Sequence, residues 1–245
     1  MIIVDMSSLV VIMAGGLGKR MNSEVPKVLH ELVGIPMLVR VIKTARLLNP
    51  VKILVVVGKY RDLIINTCQQ YTHIDDLAFV LQPTALGTGD AVKTCMQYFE
   101  QYPNAITYIL SGDVPLISYE TLNKLHNCDV NLITQHIDNP SGYGRIVKHG
   151  DKLSIVEEKD ATPEEKQINE VNAGIYAIHS KYLIKYLPLI QNNNKAGEYY
   201  LTQIIELLNN DNISISTYVI PNDRSYEVAG VNNPEELAAL ANHLK

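Results

Sequence analysis

The sequence holds little that would place it in a membrane, send it out of the cell or bind it to a polyanion. Its longest apolar stretch, Leu9 to Met13, follows Asp5, Ser7 and Ser8 and runs into glycines. That is far short of the roughly 20 apolar residues a bilayer-spanning helix needs. No basic segment followed by a long apolar core and a small-residue cleavage site opens the chain, which argues against secretion. Only three cysteines occur, Cys68, Cys95 and Cys128, without a CxxC, and the seven histidines show no metal-ligand spacing. Reduced structural thiols are therefore expected. Positive charge is scarce as well: 21 lysines and arginines face 26 acids, for a net charge of −5. No basic run offers a footprint for a nucleic-acid backbone. Neither an internal repeat nor a low-complexity tract is found. A cytoplasmic protein without membrane or nucleic-acid partners is expected.

What is present is a chain of 245 residues, 47% hydrophobic and 19% charged, able to bury a sizeable core as one α/β domain or two packed lobes. Short β-branched runs alternate with amphipathic segments, the pattern of a mostly parallel sheet covered by helices. Strands are expected at Leu9 to Met13, Val51 to Val57, Leu77 to Leu81 and Ala105 to Leu110, with helices at Pro36 to Leu48 and Gly89 to Phe99. Pro36 suits a first helical turn. After His126 the pattern turns to strands at Val130 to His136, Arg145 to Lys148, Leu153 to Val156 and Val171 to Ile178, so the sheet is expected to become mixed. Helices near Ser180 to Leu187 and Glu198 to Leu208, a strand at Ile213 to Ile220 and a helix from Pro234 complete the reading.

Basic residues concentrate at Lys19, Arg20 and Lys27, beside the glycine-rich segment Met13-Ala14-Gly15-Gly16-Leu17-Gly18-Lys19-Arg20-Met21 that follows the first strand. Glycines beyond a strand end let backbone N–H groups approach phosphate, and neighbouring cations add charge. A tight turn alone would also account for glycines here. Two known phosphate loops fail on particular residues. A Walker A loop ending at Gly18-Lys19 needs glycine at position 13 and serine or threonine at position 20, where Met13 and Arg20 stand. A dinucleotide fingerprint from Gly16 needs glycine at position 21 and an acid closing the second strand, where Met21, Val57 and Gly58 stand.

The glycine segment followed by Pro26-Lys27-Val28-Leu29 resembles the opening motif of the sugar nucleotidyltransferases. Further motifs extend the likeness from Val10 to about Leu240. They are Gln82 with Leu86-Gly87-Thr88-Gly89, Ser111-Gly112-Asp113-Val114-Pro115, Gly142-Tyr143-Gly144-Arg145, Ile155-Val156-Glu157-Glu158-Lys159, Glu170-Val171-Asn172-Ala173-Gly174, Gly197-Glu198-Tyr199-Tyr200-Leu201-Thr202 and Ala229-Gly230-Val231-Asn232. The ordered set is most similar to the uridyltransferase domain of bacterial N-acetylglucosamine-1-phosphate uridyltransferases.

That resemblance implies a Rossmann-like nucleotidyltransferase fold, α/β with a mostly parallel central sheet that is mixed in its second half. It implies one domain over 1–245, with a nucleotide-binding half at 1–126 and a sugar-binding half with the C-terminal helix at 127–245. The implied substrates are UTP and N-acetylglucosamine 1-phosphate, joined with release of pyrophosphate, and the implied cofactor is Mg²⁺ at Asp113 and Asn232. Arg20 and Lys27 would be the catalytic cations. Met13, Ala14, Gly15, Gly16, Gln82, Gly87 and Thr88 would bind the nucleotide, and Gly112, Gly144, Glu157 and Asn172 the sugar. Residue chemistry is compatible with these roles. A carboxamide such as Gln82 donates and accepts, as the edge of uracil does. An aspartate at a strand's carboxyl end suits a hard cation that takes one or two protein oxygens, and amides at the start of a helix after Thr88 suit an anion.

The chain departs from the family pattern at Leu17, Lys19, Ser111, Ala173 and Gln203. A nucleotidyltransferase for another sugar 1-phosphate or a cytidylyl-accepting alcohol, and a non-catalytic sugar-nucleotide-binding module, are the alternatives. Without a hexapeptide repeat, no acetyl transfer is expected, and the protein should be a monomer or dimer.

Overall fold

The computed structural model describes residues 7–16, 21, 23, 25–126, 128–150 and 152–244. In chain order the elements are β1 (Ser8–Met13), β2 (Glu31–Leu32), β3 (Ile35–Pro36), α1 (Met37–Arg46), β4 (Lys52–Val57), α2 (Arg61–Tyr71), β5 (Leu77–Leu81), α3 (Thr88–Lys93), α4 (Met96–Gln101), β6 (Ile106–Ser111) and α5 (Tyr119–Leu122). They continue with β7 (Val130–His136), β8 (Arg145–His149), β9 (Lys152–Val156), β10 (Glu170–His179), α6 (Ser180–Tyr186), α7 (Gln203–Asn210), β11 (Ser216–Val219) and α8 (Pro234–Ala241).

One sheet carries the order β11-β7-β10-β6-β1-β4-β5, with β8 hydrogen-bonded to β10 and β9 in turn to β8, while β2 and β3 form a small separate pair. β1 pairs parallel with β4 and β6, and β4 parallel with β5, whereas β10 lies antiparallel between β6 and β7. The sheet is therefore mostly parallel and turns mixed beyond β6, as the strand pattern after His126 implies. β1 has one apolar cluster on each side. Val10 and Ile12 pack on one face with Leu38 and Ile42, and Leu9 and Val11 on the other with Val56 and Phe99. A strand covered on both faces needs no polar alternation, which is why this segment reads as an unbroken apolar run.

The boundaries differ from expectation where backbone groups are claimed elsewhere. The helix expected over Gly89 to Phe99 is two helices, α3 and α4. At Thr94 the hydroxyl donates to the Ala91 carbonyl at 2.6 Å, and the Cys95 N–H reaches back only to Val92, which tightens the turn. The helix expected from Glu198 starts at Gln203, because the Tyr199 N–H and C=O are spent on the Leu86 carbonyl (2.8 Å) and the Gly89 N–H (2.7 Å). Pro36 pairs in β3 and stands before α1 rather than in its first turn. α2, absent from the sequence-based expectation, buries only Ile64 and Cys68, too little periodicity to stand out.

A third cluster, Met21, Leu32, Met37, Val231 and Leu240, fastens α8 to the segment that follows the glycine loop. Each side chain of that size contributes about 1.5–3 kcal/mol on full burial. This packing carries Asn232 from the end of the chain to the mouth of β1.

Candidate active site

Chain order reverses at β1, since β4 and β5 extend the sheet to one side and β6 to the other. The loops after β1 and β6 therefore diverge and leave a crevice at the strand ends, the position where open α/β sheets bind ligands. A cleft of about 290 Å³ lies there, lined among others by Gly15, Gly16, Lys27, Gln82, Thr88 and Asp113. Met13, Gly87, Ser111 and Glu198 also reach it.

On one side of the cleft stand the groups expected to read a base. Gln82 follows β5 and is buried, with its backbone N–H on the Val57 carbonyl at 2.8 Å. Its side-chain Nε2 donates to the Gly87 carbonyl (3.2 Å) and to Asp90 Oδ2 (2.7 Å). Gly87 has φ +121°, and a Cβ there would stand 2.5 Å from the Tyr199 carbonyl oxygen, so only glycine fits. One expectation needs correction: the Gly89 N–H donates to the Tyr199 carbonyl and not to a ligand. Thr88 lines the cleft, and its hydroxyl accepts from the Leu201 N–H at 3.0 Å, which ties the turn to the segment 199–201. Ala14 is buried and gives its N–H to Val56 at 2.8 Å, while the Met13 carbonyl accepts from Gly112 at 2.9 Å. Both residues shape the strand end.

Across the cleft, Lys27, Asp113 and Asn232 meet. The Lys27 ammonium donates to Asp113 Oδ2 and, at 3.3 Å, to Asn232 Oδ1. The Ser111 hydroxyl donates to the other Asp113 oxygen at 2.6 Å, so this departure from the family pattern supplies a partner to the carboxylate. The Val231 N–H binds the Asp113 carbonyl at 3.0 Å, tying the two segments together. Asn232 is aimed by the start of α8. Asn233 and Glu236 cap each other, the Asn233 side chain accepting from the Glu236 N–H and donating to its carboxylate, both at 2.8 Å. Glu236 Oε2 also takes the Asn232 N–H (2.7 Å) and its Nδ2 (3.2 Å), which turns Oδ1 toward Lys27. Glu236 is missing from the residues that the sequence singles out, although an N-cap residue followed three positions later by glutamate is a recognisable signature. Arg20, with Leu17 and Lys19, lies outside the described residues.

Gly144, Glu157 and Asn172 come together at the β8–β10 edge. A Cβ on Gly144 would stand 2.8 Å from Ile155 and 3.5 Å from Glu157 Oε2, and the Gly144 carbonyl accepts the Asn172 N–H at 2.9 Å. Asn172 donates to the Tyr176 hydroxyl (2.7 Å) and accepts from the Gly174 N–H (3.0 Å). Thr202 donates to Glu157 Oε1 at 2.9 Å, yet burial, with Asp160 and Glu198 nearby, holds the Glu157 carboxyl above its usual range. Tyr143, beside Gly144, is pushed up by burial and by the charges of Glu236 and Asp113, so this corner adjoins the cation centre. Gly112 stands between Ser111 and Asp113 of the cleft wall, and a Cβ there would face the Met13 carbonyl, Val28 and Leu38. Gln203 accepts from the Gln191 N–H at 2.7 Å and lines a cavity together with Glu157.

Among the described residues no cluster of three histidine, cysteine or acidic side chains could hold a metal, and no helix is long and apolar enough to cross a membrane. The model of the MobA-like NTP transferase domain matches residues 10–134. The chain is 40% identical over 237 residues to "Probable UDP-N-acetylglucosamine pyrophosphorylase" of Acanthamoeba polyphaga mimivirus, covering 93% of this chain and 92% of that one. It is 43% identical to the "Bifunctional protein GlmU" of Methylobacillus flagellatus, covering 94% of this chain but about half (49%) of that longer relative. Among solved structures, a putative glucose-1-phosphate thymidylyltransferase from Bacillus anthracis superposes with a TM-score of 0.69 at 19% identity, over 97% of this chain and 95% of that one, a likeness of fold. On the family model and the identity to the viral relative over nearly the full length of both, the chain belongs to the MobA-like NTP transferase family.

Proposed function

We propose that the protein transfers a uridylyl group from UTP to N-acetylglucosamine 1-phosphate, giving UDP-N-acetylglucosamine and pyrophosphate. The observation that carries this reading is that one cleft has a fixed carboxamide at Gln82 on one wall and the Lys27, Asp113, Asn232 centre on the other. The viral relative is named for the same activity, a UDP-N-acetylglucosamine pyrophosphorylase. The base would lie against Gly15, Gly16, Gln82 and Gly87, and the phosphates would run toward Lys27, with Arg20 as a second cation.

The residues around Lys27 fit a hard divalent cation. A carboxylate oxygen and a carboxamide oxygen already converge on one positive group, and magnesium commonly takes one or two protein oxygens and completes its shell from phosphate and water. Asp113 and Asn232 would hold Mg²⁺, with Ser111 and Glu236 setting their orientation. Bound there, Mg²⁺ would neutralise phosphate charge and stabilise the transferring group.

No protein nucleophile is required, because the sugar phosphate oxygen itself attacks the α-phosphorus. The chain's own part is alignment and charge. Lys27, freed from Asp113 by a competing cation, would turn its ammonium to the phosphates, and the cleft would hold the two polyanions in line. Glu157 would accept from sugar hydroxyls, Gly144 would allow the ring close to the backbone, and the remaining Asn172 N–H would face the acetamido or hydroxyl oxygen. Residues 1–126 would supply the nucleotide side and 127–245 the sugar side together with Asn232.

The test is pyrophosphate release from UTP, CTP, dTTP and GTP against a panel of hexose and amino-sugar 1-phosphates. Highest kcat/KM for UTP with N-acetylglucosamine 1-phosphate is expected. A clear preference for glucose 1-phosphate or for CTP would overturn the assignment.

A further inference from the structure

As a free carboxamide Gln82 would offer a base both a donor and an acceptor, yet its donor is already committed. Nε2 lies 2.7 Å from Asp90 Oδ2 and 3.2 Å from the Gly87 carbonyl. A carbonyl and an ionised carboxylate only accept, so a flipped amide would set its oxygen against two other oxygens. The orientation is therefore fixed. Oε1 faces the other way, 3.5 Å from where a Gly15 Cβ would stand, on the wall of the nucleotide cleft.

What the cleft presents to a base at this point is an acceptor. Uracil carries a ring N–H at the centre of its pairing edge and can donate to it. Cytosine carries a lone pair at the same atom, and two acceptors facing each other in a buried site repel and leave both unpaired. A site built to hydrogen-bond a given group rejects an analogue lacking it far more strongly than an apolar pocket rejects a size change.

Asp90 is the third residue of α3 and lines a separate cavity with Lys93 and Leu187, not the cleft that Gln82 faces. It thus reaches the base only through Gln82. An acidic residue in a first helical turn has an ordinary use in favouring the positive end of the helix, but that use does not call for the 2.7 Å contact with a buried carboxamide. We infer that Asp90 is the positioning residue for base choice: by holding the Gln82 amide it makes the cleft accept a base with a ring N–H and reject cytosine. This rests on the uridylyl-transfer reading above and assigns its specificity to a residue outside the cleft.

The experiment measures kcat/KM and equilibrium dissociation constants for UTP and CTP in wild type, Asp90→Asn, Asp90→Ser and Gln82→Ala, with melting temperatures for each. The carboxamide introduced by Asp90→Asn would offer either an oxygen or an NH₂ group, leaving only the Gly87 carbonyl, the longer contact at 3.2 Å, against a flip, so Gln82 could present a donor to cytosine. Asp90→Asn is expected to lower the UTP to CTP ratio at least tenfold in both measurements, with CTP binding gained in absolute terms. Asp90→Asn combined with Gln82→Ala should discriminate no less than Gln82→Ala alone. A purely structural role would lower stability or kcat for both nucleotides together and leave the ratio in place. If wild type prefers UTP and both Asp90 variants keep that ratio, the positioning role is wrong and uridylyl transfer stands. If wild type itself lacks the preference, uridylyl transfer falls and this assignment falls with it.

Discussion

The ammonium of Lys27 rests against the carboxylate of Asp113, with both side chains about 15% exposed, so a cation already occupies the place where two oxygen ligands converge. The pair is formed by residues from two separate loops, one after β1 and one after β6. Its consequence is competition: a divalent ion and Lys27 cannot both hold Asp113 Oδ2 at full strength.

If Asp113 and Asn232 share one Mg²⁺, each substitution removes part of the same unit. Asp113→Ala loses a charged ligand and Asn232→Ala a neutral one. Asp113→Ala should lower kcat/KM on the order of a hundredfold, about 3 kcal/mol, and Asn232→Ala less. The double variant should be little worse than Asp113→Ala, and raised Mg²⁺ should partly restore Asn232→Ala. Steady-state kinetics across Mg²⁺ concentrations check this; fully additive losses without metal dependence would remove the shared site.

Lys27→Met takes away the resident cation and leaves Asp113 with the Ser111 hydroxyl on its other oxygen. Turnover should fall on the order of a hundredfold, since the ammonium no longer meets developing charge. The folded state should at the same time gain more from MgCl₂ than wild type does, because a ligand that binds only the folded form raises stability by mass action and its rival is gone. Melting curves with and without MgCl₂ read this directly. An equal or smaller Mg²⁺-induced rise in the variant would contradict the competition.

Much of this arrangement is legible in the sequence, and what is not has a common cause. The Leu9 to Met13 run and the change of pattern after His126 are local signals, and each leads to the right element. Gly144, Glu157 and Asn172 come together as the resemblance implies. The hidden features are choices of partner made across the fold. The Gly89 N–H looks available until Tyr199 is seen to take it, and Gln82 looks two-sided until Asp90 claims its NH₂. Ser111 reads as a loss until its hydroxyl is found on Asp113.

Gly87→Ala would place a methyl 2.5 Å from the Tyr199 carbonyl oxygen in a backbone conformation that L residues avoid. The strain should cost about 2 kcal/mol, which for a chain of this length is a fall of roughly 4–8 °C in melting temperature. Because the displaced turn carries Gln82's second acceptor, KM for UTP should rise while KM for the sugar phosphate changes little. Calorimetry and kinetics separate the two effects. Wild-type stability together with wild-type KM for UTP would show that the turn relaxes freely.

Glu157 is the place where burial and the proposed sugar contact oppose each other. Desolvation is the main cause of its raised carboxyl, with the Thr202 hydroxyl opposing and Asp160 and Glu198 adding to it. A carboxyl that ionises later in the folded state than in the unfolded one favours folding while both are protonated. That contribution is lost as pH rises through the folded-state titration, which burial raises above that of a free carboxyl. At neutral pH the ionised Glu157 therefore costs stability. Glu157→Gln keeps an acceptor for Thr202 and removes the buried charge, so its melting temperature at pH 7.5 should equal or exceed that of wild type. The advantage should shrink as pH falls below the titration. Sugar binding should respond in the opposite sense, since a neutral carboxamide accepts more weakly from hydroxyls than a carboxylate. KM for N-acetylglucosamine 1-phosphate should rise about tenfold in Glu157→Gln, and in wild type it should rise as pH falls through the same range. Melting curves and sugar-phosphate KM measured from pH 5 to 8 test both halves. A variant that is less stable at pH 7.5 yet binds the sugar phosphate as well as wild type would make Glu157 a structural acid and remove it from the sugar site.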